Sequence, residues 1–466
     1  MAHQAESRGP AGDSRQRLHI SYSRLRQASK RICAPLEIED YGIQTMPDVS
    51  PPKWHLAHTS WFFETFLLKP FLPEYREFHP LYSQLFNSYY NSIGEYHPRP
   101  ERGFLSRPTV EQVYAYRSHV DEHMQHLINS VNDEHWQDVL TRTQLGINHE
   151  QQHQELMLTD IKHIFACNPL RPKYRNTGLG TPHVPDEATN TLPSTVKWFD
   201  YQAKLTHQGY DTTGDTTETI ATTDTTTAAG FHYDNETPSH PILIRDFKVA
   251  SRLVNNQEMI SFIEDGGYKN ASLWLSDAWQ TVSEQQWLAP LYWEKHDDEW
   301  WYMTLSGMQV VDPLAPVCHV SYYEADAVAR WAGKRLLTEQ EWEHIAKPLP
   351  ITGNFRESDL FQPAPPSALT TDSGATHSGS MHSGPTQIYG DVWEWTRSSY
   401  TSYPGFDQSA FSDFSGEYNA KFMSNQMVLR GGSCVTPRSH IRPTYRNFFY
   451  PTDRWQFSGF RLAEDA

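Results

Sequence analysis

The stretch "LGINHEQQHQELMLTDIKH", residues 145–163, decides how the first half of this chain folds. Apolar residues recur through it at helical spacing, which predicts a helix over about residues 143–166. His149 and His153 are four residues apart, so both rings project from one helix face and could bind one metal ion. The pattern H-E-x-x-H also occurs in zinc proteases, which makes the identity of a third ligand decisive.

A protease is disfavoured because the expected third ligand is missing. Leu156 and Thr159 stand where one protease variety has Gly and His, and beyond the helix no glutamate occurs before Glu187. The stretch "WHLAHTSWFFETFLL", residues 54–68, offers His55 and His58 on a helix otherwise built for burial. A buried polar ring needs a partner, and a metal ion is one.

The remaining sequence up to about residue 167 also predicts helices, which together indicate a helical bundle. Residues 109–131 begin with a capping box of Thr109 and Gln112, followed by apolar residues at helical spacing. Residues 1–17 are polar and predict a flexible tail. The first folded domain is therefore expected over residues 18–167.

Residues 168–230 predict a connector that ends in a Thr-rich tract over 206–230, with too little apolar surface to repay ordering. Residues 231–466 combine short apolar stretches with predicted helices and form a mixed α+β domain. The helices are expected at 255–267, 321–333 and 338–346, and a Ser/Gly/Pro-rich insert at about 362–386.

Composition limits the partners and the compartment. A net charge of -17 with no basic stripe argues against nucleic acid. No run of about 18 apolar residues predicts a membrane span, and the N-terminus lacks a signal-peptide pattern. Four separated cysteines without C-x-x-C fit a reducing cytoplasm.

Several motifs together resemble one enzyme family, the ergothioneine-biosynthesis sulfoxide synthases. "LAHT" followed by a helix with H-x-x-Q-H-x-E is similar to their DinB-like bundle. The stretches "FHYDNETPSHPI" (231–242), "YGDVWEWTRSSYTSYPGF" (389–406) and "VLRGGSCVTPRSHIRPTYRNFFYPTDRW" (428–455) resemble their second domain. The resemblance implies an α+β multidomain fold, with an N-terminal DinB-like four-helix bundle and a C-terminal C-type-lectin-like, formylglycine-generating-enzyme-like domain.

The resemblance also implies a reaction. Fe(II) held by His58, His149 and His153 would leave coordination positions for a substrate thiolate and O2. The enzyme would be an iron-dependent oxidoreductase that joins the sulfur of cysteine or γ-glutamylcysteine to N-α-trimethylhistidine (hercynine), giving hercynylcysteine sulfoxide. Selenoneine-type and ovothiol-type synthases are alternatives, and a metal-stabilised lectin-like binding module is the non-enzyme alternative.

Further site residues follow from the same resemblance. Tyr89 or Tyr90 would donate a proton or an electron, and Gln152 would hold hercynine. Asn447, with Phe448 beside it, would contact the trimethylammonium group. The remaining candidates concern the sulfur donor: Arg99 and Arg102 for its carboxylate, and Phe449, which replaces an Asp of γ-glutamylcysteine users and so favours free cysteine.

The second domain also resembles formylglycine-generating enzymes. Those enzymes use paired cysteines shortly after the sequence R-G-G-S, whereas here only Cys434 lies nearby and Cys318 is remote. The resemblance to that enzyme is therefore expected to concern the fold and not the reaction.

Overall fold

The computed structural model describes residues 10–88, 90, 92–175, 196–214, 231–366, 384–407 and 420–466. Tyr89 and most of the two predicted inserts lie outside these residues. The described residues divide into two compact units: the first contains those up to Ile164 together with Thr213, Gly214 and Phe231, and the second contains the other described residues from Phe165 onward.

The first unit is helical, as the sequence predicts. Four long helices form it, and a π-helical turn over Glu64–Leu68 extends the second of them. Two short α-helices and two 3-10 helices, Ile38–Gly42 and Arg99–Phe104, complete the described part of the unit. The helices are α1 (Pro10–Cys33), α2 (Pro52–Phe63), α3 (Lys69–Phe71), α4 (Tyr82–Phe86), α5 (Val110–Ser130) and α6 (Asp133–Cys167).

Helix α5 begins where its capping box predicts. The Thr109 side chain accepts a hydrogen bond from the backbone N–H of Gln112, and the Gln112 side chain accepts one from the backbone N–H of Thr109. These bonds satisfy two donors that a helix start would leave unpaired. The apolar face then buries Val120, Met124 and Ile128.

Two helices are longer than the sequence predicts. Helix α6 begins at Asp133, about ten residues before the predicted start. The negative charges of Asp133 and Glu134 in its first turn stabilise this start, because the N-terminus of a helix carries a partial positive charge. Helix α1 begins at Pro10, inside the predicted tail. Arg15 holds this segment, because its guanidinium donates to the carbonyl of Ile128 and lies 4.4 Å from the ring centroid of Trp136. These contacts join residues far apart in sequence, so local composition does not reveal them.

The second unit is a mixed α+β structure. Its described residues form two four-stranded sheets, in the orders β1-β4-β13-β8 and β11-β10-β9-β12, a three-stranded sheet β5-β6-β7 and a pair β2-β3. The strands are β1 (Trp198–Tyr201), β2 (Lys204–Gln208), β3 (His240–Ile244), β4 (Phe247–Ala250), β5 (Trp293–His296), β6 (Glu299–Thr304), β7 (Gly307–Val310), β8 (Arg335–Leu336), β9 (Trp393–Ser399), β10 (Met427–Arg430), β11 (Asn447–Phe449), β12 (Ser458–Gly459) and β13 (Leu462–Asp465).

The helices of this unit match the predicted segments and add one. Helices α7, α9 and α10 begin after side-chain caps at Asn255, Ser321 and Thr338, each within a capping box. Helix α8 was not predicted. The helices are α7 (Asn256–Glu264), α8 (Ser276–Glu284), α9 (Tyr322–Trp331) and α10 (Glu339–Ala346).

Strands β1 and β2 differ from the predicted connector over residues 168–230. They pair with β4 and β3, so this part of the connector belongs to the second unit. The sequence "KLTHQ" of β2 is mostly polar, and its ladder depends on a partner strand more than 30 residues later. Trp393 and Trp395 on β9 lie in the core of the second unit. Among the described residues, no helix has the length and apolarity needed to cross a bilayer.

Gly146 on α6 permits a close contact with α2. A Cβ atom at this position would lie 2.5 Å from Cε1 of Phe63 and 3.0 Å from Cε1 of Phe62, both buried rings. We predict that Gly146→Ala lowers the free energy of unfolding by about 1–3 kcal/mol through overpacking, although alanine favours a helix over glycine by about 1 kcal/mol. Urea denaturation measures the change.

Gln137→Ala, at an exposed position of the same helix, is the matched control and should change stability by less than about 0.5 kcal/mol. A Gly146→Ala protein as stable as the wild type would mean that the aromatic rings of α2 move aside without cost.

Candidate metal centre

Three buried histidines meet between α2 and α6. The Nε2 atom of His149 lies 3.1 Å from the Nε2 atom of His58 and 3.1 Å from the Nε2 atom of His153. One ligand atom from each ring lies within 4.8 Å of the others, and all three side chains are buried. The structure therefore brings together the three histidines singled out from the sequence, in an arrangement that could hold a metal ion.

Helix geometry explains the convergence. His149 and His153 are one turn apart on α6, so both point to the same side. His58 comes from α2, where its ring stacks on Trp54 with a centroid distance of 4.6 Å and an interplanar angle of 11°. It also stacks on Trp61 at 5.5 Å. Trp54 and Trp61, two of the aromatic residues of α2, thus hold the ring of His58 in place.

Hydrogen bonds determine which ring nitrogen of His58 faces the cluster. Its Nδ1 atom lies 2.6 Å from the carbonyl oxygen of Phe86. A carbonyl only accepts, so Nδ1 carries the hydrogen and, in the neutral ring, Nε2 presents its lone pair to the other histidines. His58 is therefore in the form that binds a metal through Nε2.

A longer chain of hydrogen bonds does the same for His153. Its Nδ1 atom lies 2.8 Å from Nδ1 of His55, whose Nε2 lies 3.0 Å from Oδ2 of Asp160. An ionised carboxylate accepts, so His55 donates from Nε2 and, when neutral, accepts at Nδ1. His153 must then donate from Nδ1, which leaves the lone pair of its Nε2 directed at the cluster.

This donor set fits a cation. The Nε2 atoms of His58 and His153, which carry lone pairs, both lie 3.1 Å from Nε2 of His149. A single N–H on that His149 nitrogen cannot point at both of them. A positive ion among the three nitrogens would relieve the repulsion. Three imidazoles suit iron, zinc, copper or nickel, and a ligand set without carboxylates leaves the full charge of a divalent ion.

Burial keeps the rings neutral. It lowers the pKa of His149 to about 3, although the charge of Glu150 opposes this shift. Burial, reinforced by the neighbouring histidines, also moves the pKa of His58 and of His153 well below the ordinary value. Neutral imidazole is the ligand form, so the cluster needs no deprotonation near pH 7 to receive a metal.

Glu150, the glutamate of the H-E-x-x-H pattern, points away from this cluster. It accepts hydrogen bonds from Ser29, Arg26 and Arg117 in the bundle interior. Burial alone would raise its pKa, but the guanidinium groups of Arg117 and Arg26 prevail and lower the pKa to about 2. A zinc protease needs this carboxylate beside the metal as a general base, so the structure gives a second argument against a protease.

The two arginine candidates have different surroundings. Arg102 is buried, donates to Ser50 Oγ at 2.9 Å and to Ser88 Oγ at 3.1 Å, and lies 3.3 Å from the ring centroid of Trp54. Trp54 in turn stacks on His58, so Arg102 is one ring away from the histidine cluster. Arg99 is half-buried and directed at Asp48.

The other candidates in the first unit also lie near the cluster. Gln152 is half-buried, one residue before His153 and three after His149 on α6. Tyr90 is buried, and its ring centroid lies 5.4 Å from that of Trp61, which stacks on His58. Tyr89 lies outside the described residues.

The last three candidates lie on strand β11 of the second unit. Strand alternation directs Asn447 and Phe449 to one face and Phe448 to the other. Phe448 stacks on Tyr400 with a centroid distance of 4.2 Å, and Phe449 meets Trp455 edge to face. The strand thus brings Asn447 and Phe449 together and separates Phe448 from them.

Comparison with known families supports both domains. The model described as "Sulfatase-modifying factor enzyme 1-like domain" matches residues 206–466, more than half of the chain. The chain belongs to the sulfatase-modifying factor enzyme 1-like family. A DinB superfamily model matches residues 21–157 of this family member, a range that contains all three clustered histidines.

Relatives of this chain include hercynine oxygenases and a formylglycine-generating enzyme. A hercynine oxygenase of Mycolicibacterium thermoresistibile is 28% identical over 95% of this chain and 94% of its own length. One of Mycolicibacterium smegmatis is 34% identical, over 50% of this chain and 56% of its own length. A formylglycine-generating enzyme of Streptomyces coelicolor is 28% identical over 51% of this chain and 84% of its own length.

The pKa shifts of the histidines predict a pH dependence of stability. Unfolded histidines titrate near pH 6.5, whereas these buried rings stay neutral, so below about pH 6.5 the unfolded chain binds more protons than the folded protein. We predict that the metal-free protein loses stability as the pH falls from 6.5 towards 5, by up to about 1.4 kcal/mol per pH unit for each such histidine. Urea denaturation with a chelator present measures the slope.

His149→Leu should reduce this slope by the equivalent of about one proton, because the variant lacks one of the histidines that bind a proton only in the unfolded chain. The interpretation fails if the wild type and His149→Leu share one slope.

Proposed function

We propose that this protein is a non-haem Fe(II)- and O2-dependent sulfoxide synthase acting on hercynine, in ergothioneine biosynthesis. A carbon–sulfur bond would join the sulfur of a cysteine donor to the imidazole ring of hercynine, and the sulfur would be oxidised to a sulfoxide. The thiol hydrogen and the ring hydrogen leave with one oxygen atom as water, and the other oxygen atom becomes the sulfoxide oxygen. O2 thus accepts all four electrons.

The observation that carries the proposal is the buried cluster of His58, His149 and His153, with two Nε2 lone pairs directed at the third ring. These residues would hold the metal. A bound Fe(II) would supply the chemistry for O2 activation and a positive charge that lowers the pKa of a substrate thiol. The names of the relatives and the presence of both domains support hercynine as the substrate.

We assign the substrate-binding roles within the first unit as follows. Gln152 would orient hercynine, since it lies on the turn of α6 between His149 and His153. Arg102 would bind the carboxylate of the sulfur donor, because Ser50 and Ser88 hold its guanidinium beside Trp54. Arg99, paired with Asp48, would assist.

The remaining roles concern proton transfer and the cationic end of hercynine. The phenol of Tyr89 or Tyr90 would donate a proton or an electron during sulfur oxidation; the burial of Tyr90 among aromatic rings would exclude water from it. Asn447 would contact the trimethylammonium group, whereas Phe448, expected beside it from the sequence, lies on the opposite face of β11 and stacks on Tyr400. The four free cysteines fit a reducing compartment, and we propose the cytoplasm.

The activity test uses purified protein loaded with Fe(II). Aerobic incubation with hercynine and cysteine should give hercynylcysteine sulfoxide, identified by its mass and fragmentation; γ-glutamylcysteine and a selenosugar serve as alternative donors. We predict that His149→Ala abolishes both iron retention and turnover, because two nitrogens remain where three are needed. His126→Ala is the exposed control and should retain both.

No new C–S or C–Se product with any of these donors would instead favour a metal-stabilised binding module. Product formation by His149→Ala at the wild-type rate would remove this histidine from the metal site.

Phe449 would set the choice of sulfur donor. We propose free cysteine as the preferred donor, because an apolar ring here offers no carboxylate for the ammonium group of γ-glutamylcysteine. We predict that Phe449→Asp shifts the ratio of kcat/KM values towards γ-glutamylcysteine by about tenfold or more, the size expected for one charged hydrogen bond.

Phe449→Asn is the matched control, since it removes the same ring and introduces no charge. An equal shift in both variants would show that the space vacated by the ring, and not the carboxylate, changes the donor preference.

A further inference from the structure

His55 and Asp160 connect α2 and α6 behind the metal-binding face. Asp160 lies on α6 seven residues after His153, and His55 lies on α2 three residues before His58. The two side chains are 3% exposed, so water does not compete for the contact between them. His55 touches Asp160 with one ring nitrogen and His153 with the other.

The direction of the hydrogen bonds in this relay is fixed at its Asp160 end. Oδ2 of Asp160 lies 2.8 Å from the backbone nitrogen of Ser50, a group that can only donate. A carboxylate oxygen carries no hydrogen, so Oδ2 accepts from His55 as well, and each neutral ring along the relay then donates towards the carboxylate. His153 is left with one permitted neutral form, in which Nε2 carries no hydrogen.

We propose that Asp160 and His55 are positioning residues that hold His153 in its metal-binding tautomer. A neutral imidazole can carry its hydrogen on either nitrogen, and the form with hydrogen on Nε2 cannot bind a metal there. The relay excludes that form. It also directs negative charge towards the ring, which raises the basicity of the ligand.

This proposal rests on the proposed function only for the identity of the metal ligands. His58 obtains the same tautomer from the carbonyl of Phe86, a backbone group that is always an acceptor. His153 depends instead on two side chains, and one of them, His55, could itself adopt either neutral form. The carboxylate of Asp160 leaves His55 only one neutral form. This role accounts for a buried carboxylate whose Oδ2 lies 2.8 Å from the backbone nitrogen of Ser50 and 3.0 Å from Nε2 of His55.

The test compares two substitutions of His55 in the metal-free protein titrated with Co(II), whose visible absorption reports coordination. His55→Gln retains a donor for Asp160 and an acceptor for the Nδ1–H of His153. His55→Leu retains neither. We expect Co(II) affinity to fall about 10–100-fold in His55→Leu, the usual effect of losing such a partner, and to stay within about threefold of the wild type in His55→Gln.

Folding defects are separated by a second variant. His55→Leu leaves the charge of Asp160 without its imidazole partner, which could destabilise the bundle. The double variant His55→Leu/Asp160→Asn removes that charge and keeps an acceptor for Ser50, so it should fold yet still bind Co(II) weakly. Urea denaturation of the metal-free proteins checks folding.

The outcomes distinguish this proposal from the proposed function. Equal Co(II) affinity in His55→Leu and wild type, or equal losses in His55→Leu and His55→Gln, would overturn the relay. A wild-type protein that does not bind Co(II) would overturn it as well. Tight Co(II) binding with the expected order of variants, but no sulfoxide product from hercynine, would refute the synthase and leave the relay in place.

Discussion

The helical unit depends on the buried ion pairs that the carboxylate of Glu150 forms with two arginines. The carboxylate joins α6 to Arg26 of α1 and Arg117 of α5 in a site that water does not reach. The same guanidinium groups donate to Ser60 and Thr59 of α2. All four long helices thus meet at one group of charges. Removing one partner from such a network typically costs about 3–5 kcal/mol, because it leaves a buried charge unpaired.

This network also orients the face of α6 that carries His149 and His153. Glu150 directly follows His149, and successive residues on a helix differ by about 100° in direction. When Glu150 is fixed towards Arg26 and Arg117, the rotation of α6 about its axis is fixed too, and His149 and His153 turn towards α2. The close contact of Gly146 with Phe63 sets the spacing between the two helices. The negative charge of Glu150 is compensated by Arg26 and Arg117 on the other side of α6. The buried histidines therefore face a side of the helix without that charge and can stay neutral.

Much of the fold follows from local patterns. The capping box at Thr109 marks a helix start that the structure reproduces, because the groups involved are three residues apart. The helices expected from residues 321 and 338 also form, each after a capping box. The start of α1 and the strands β1 and β2 could not be placed in this way. Arg15 stabilises α1 through residues more than 100 positions away, and β2 pairs with β3 across the Thr-rich tract.

For the candidate site, too, some features follow from the sequence and others only from the tertiary structure. The sequence by itself determined the helical spacing of His149 and His153, the burial of the segment around His58 and, through resemblance, the family. Only the tertiary structure decided that Glu150 faces away from the cluster and that Asp160 acts on His153 through His55. The reason is physical: a tautomer depends on hydrogen bonds between groups about 100 residues apart, and no local pattern encodes which nitrogen will meet an acceptor.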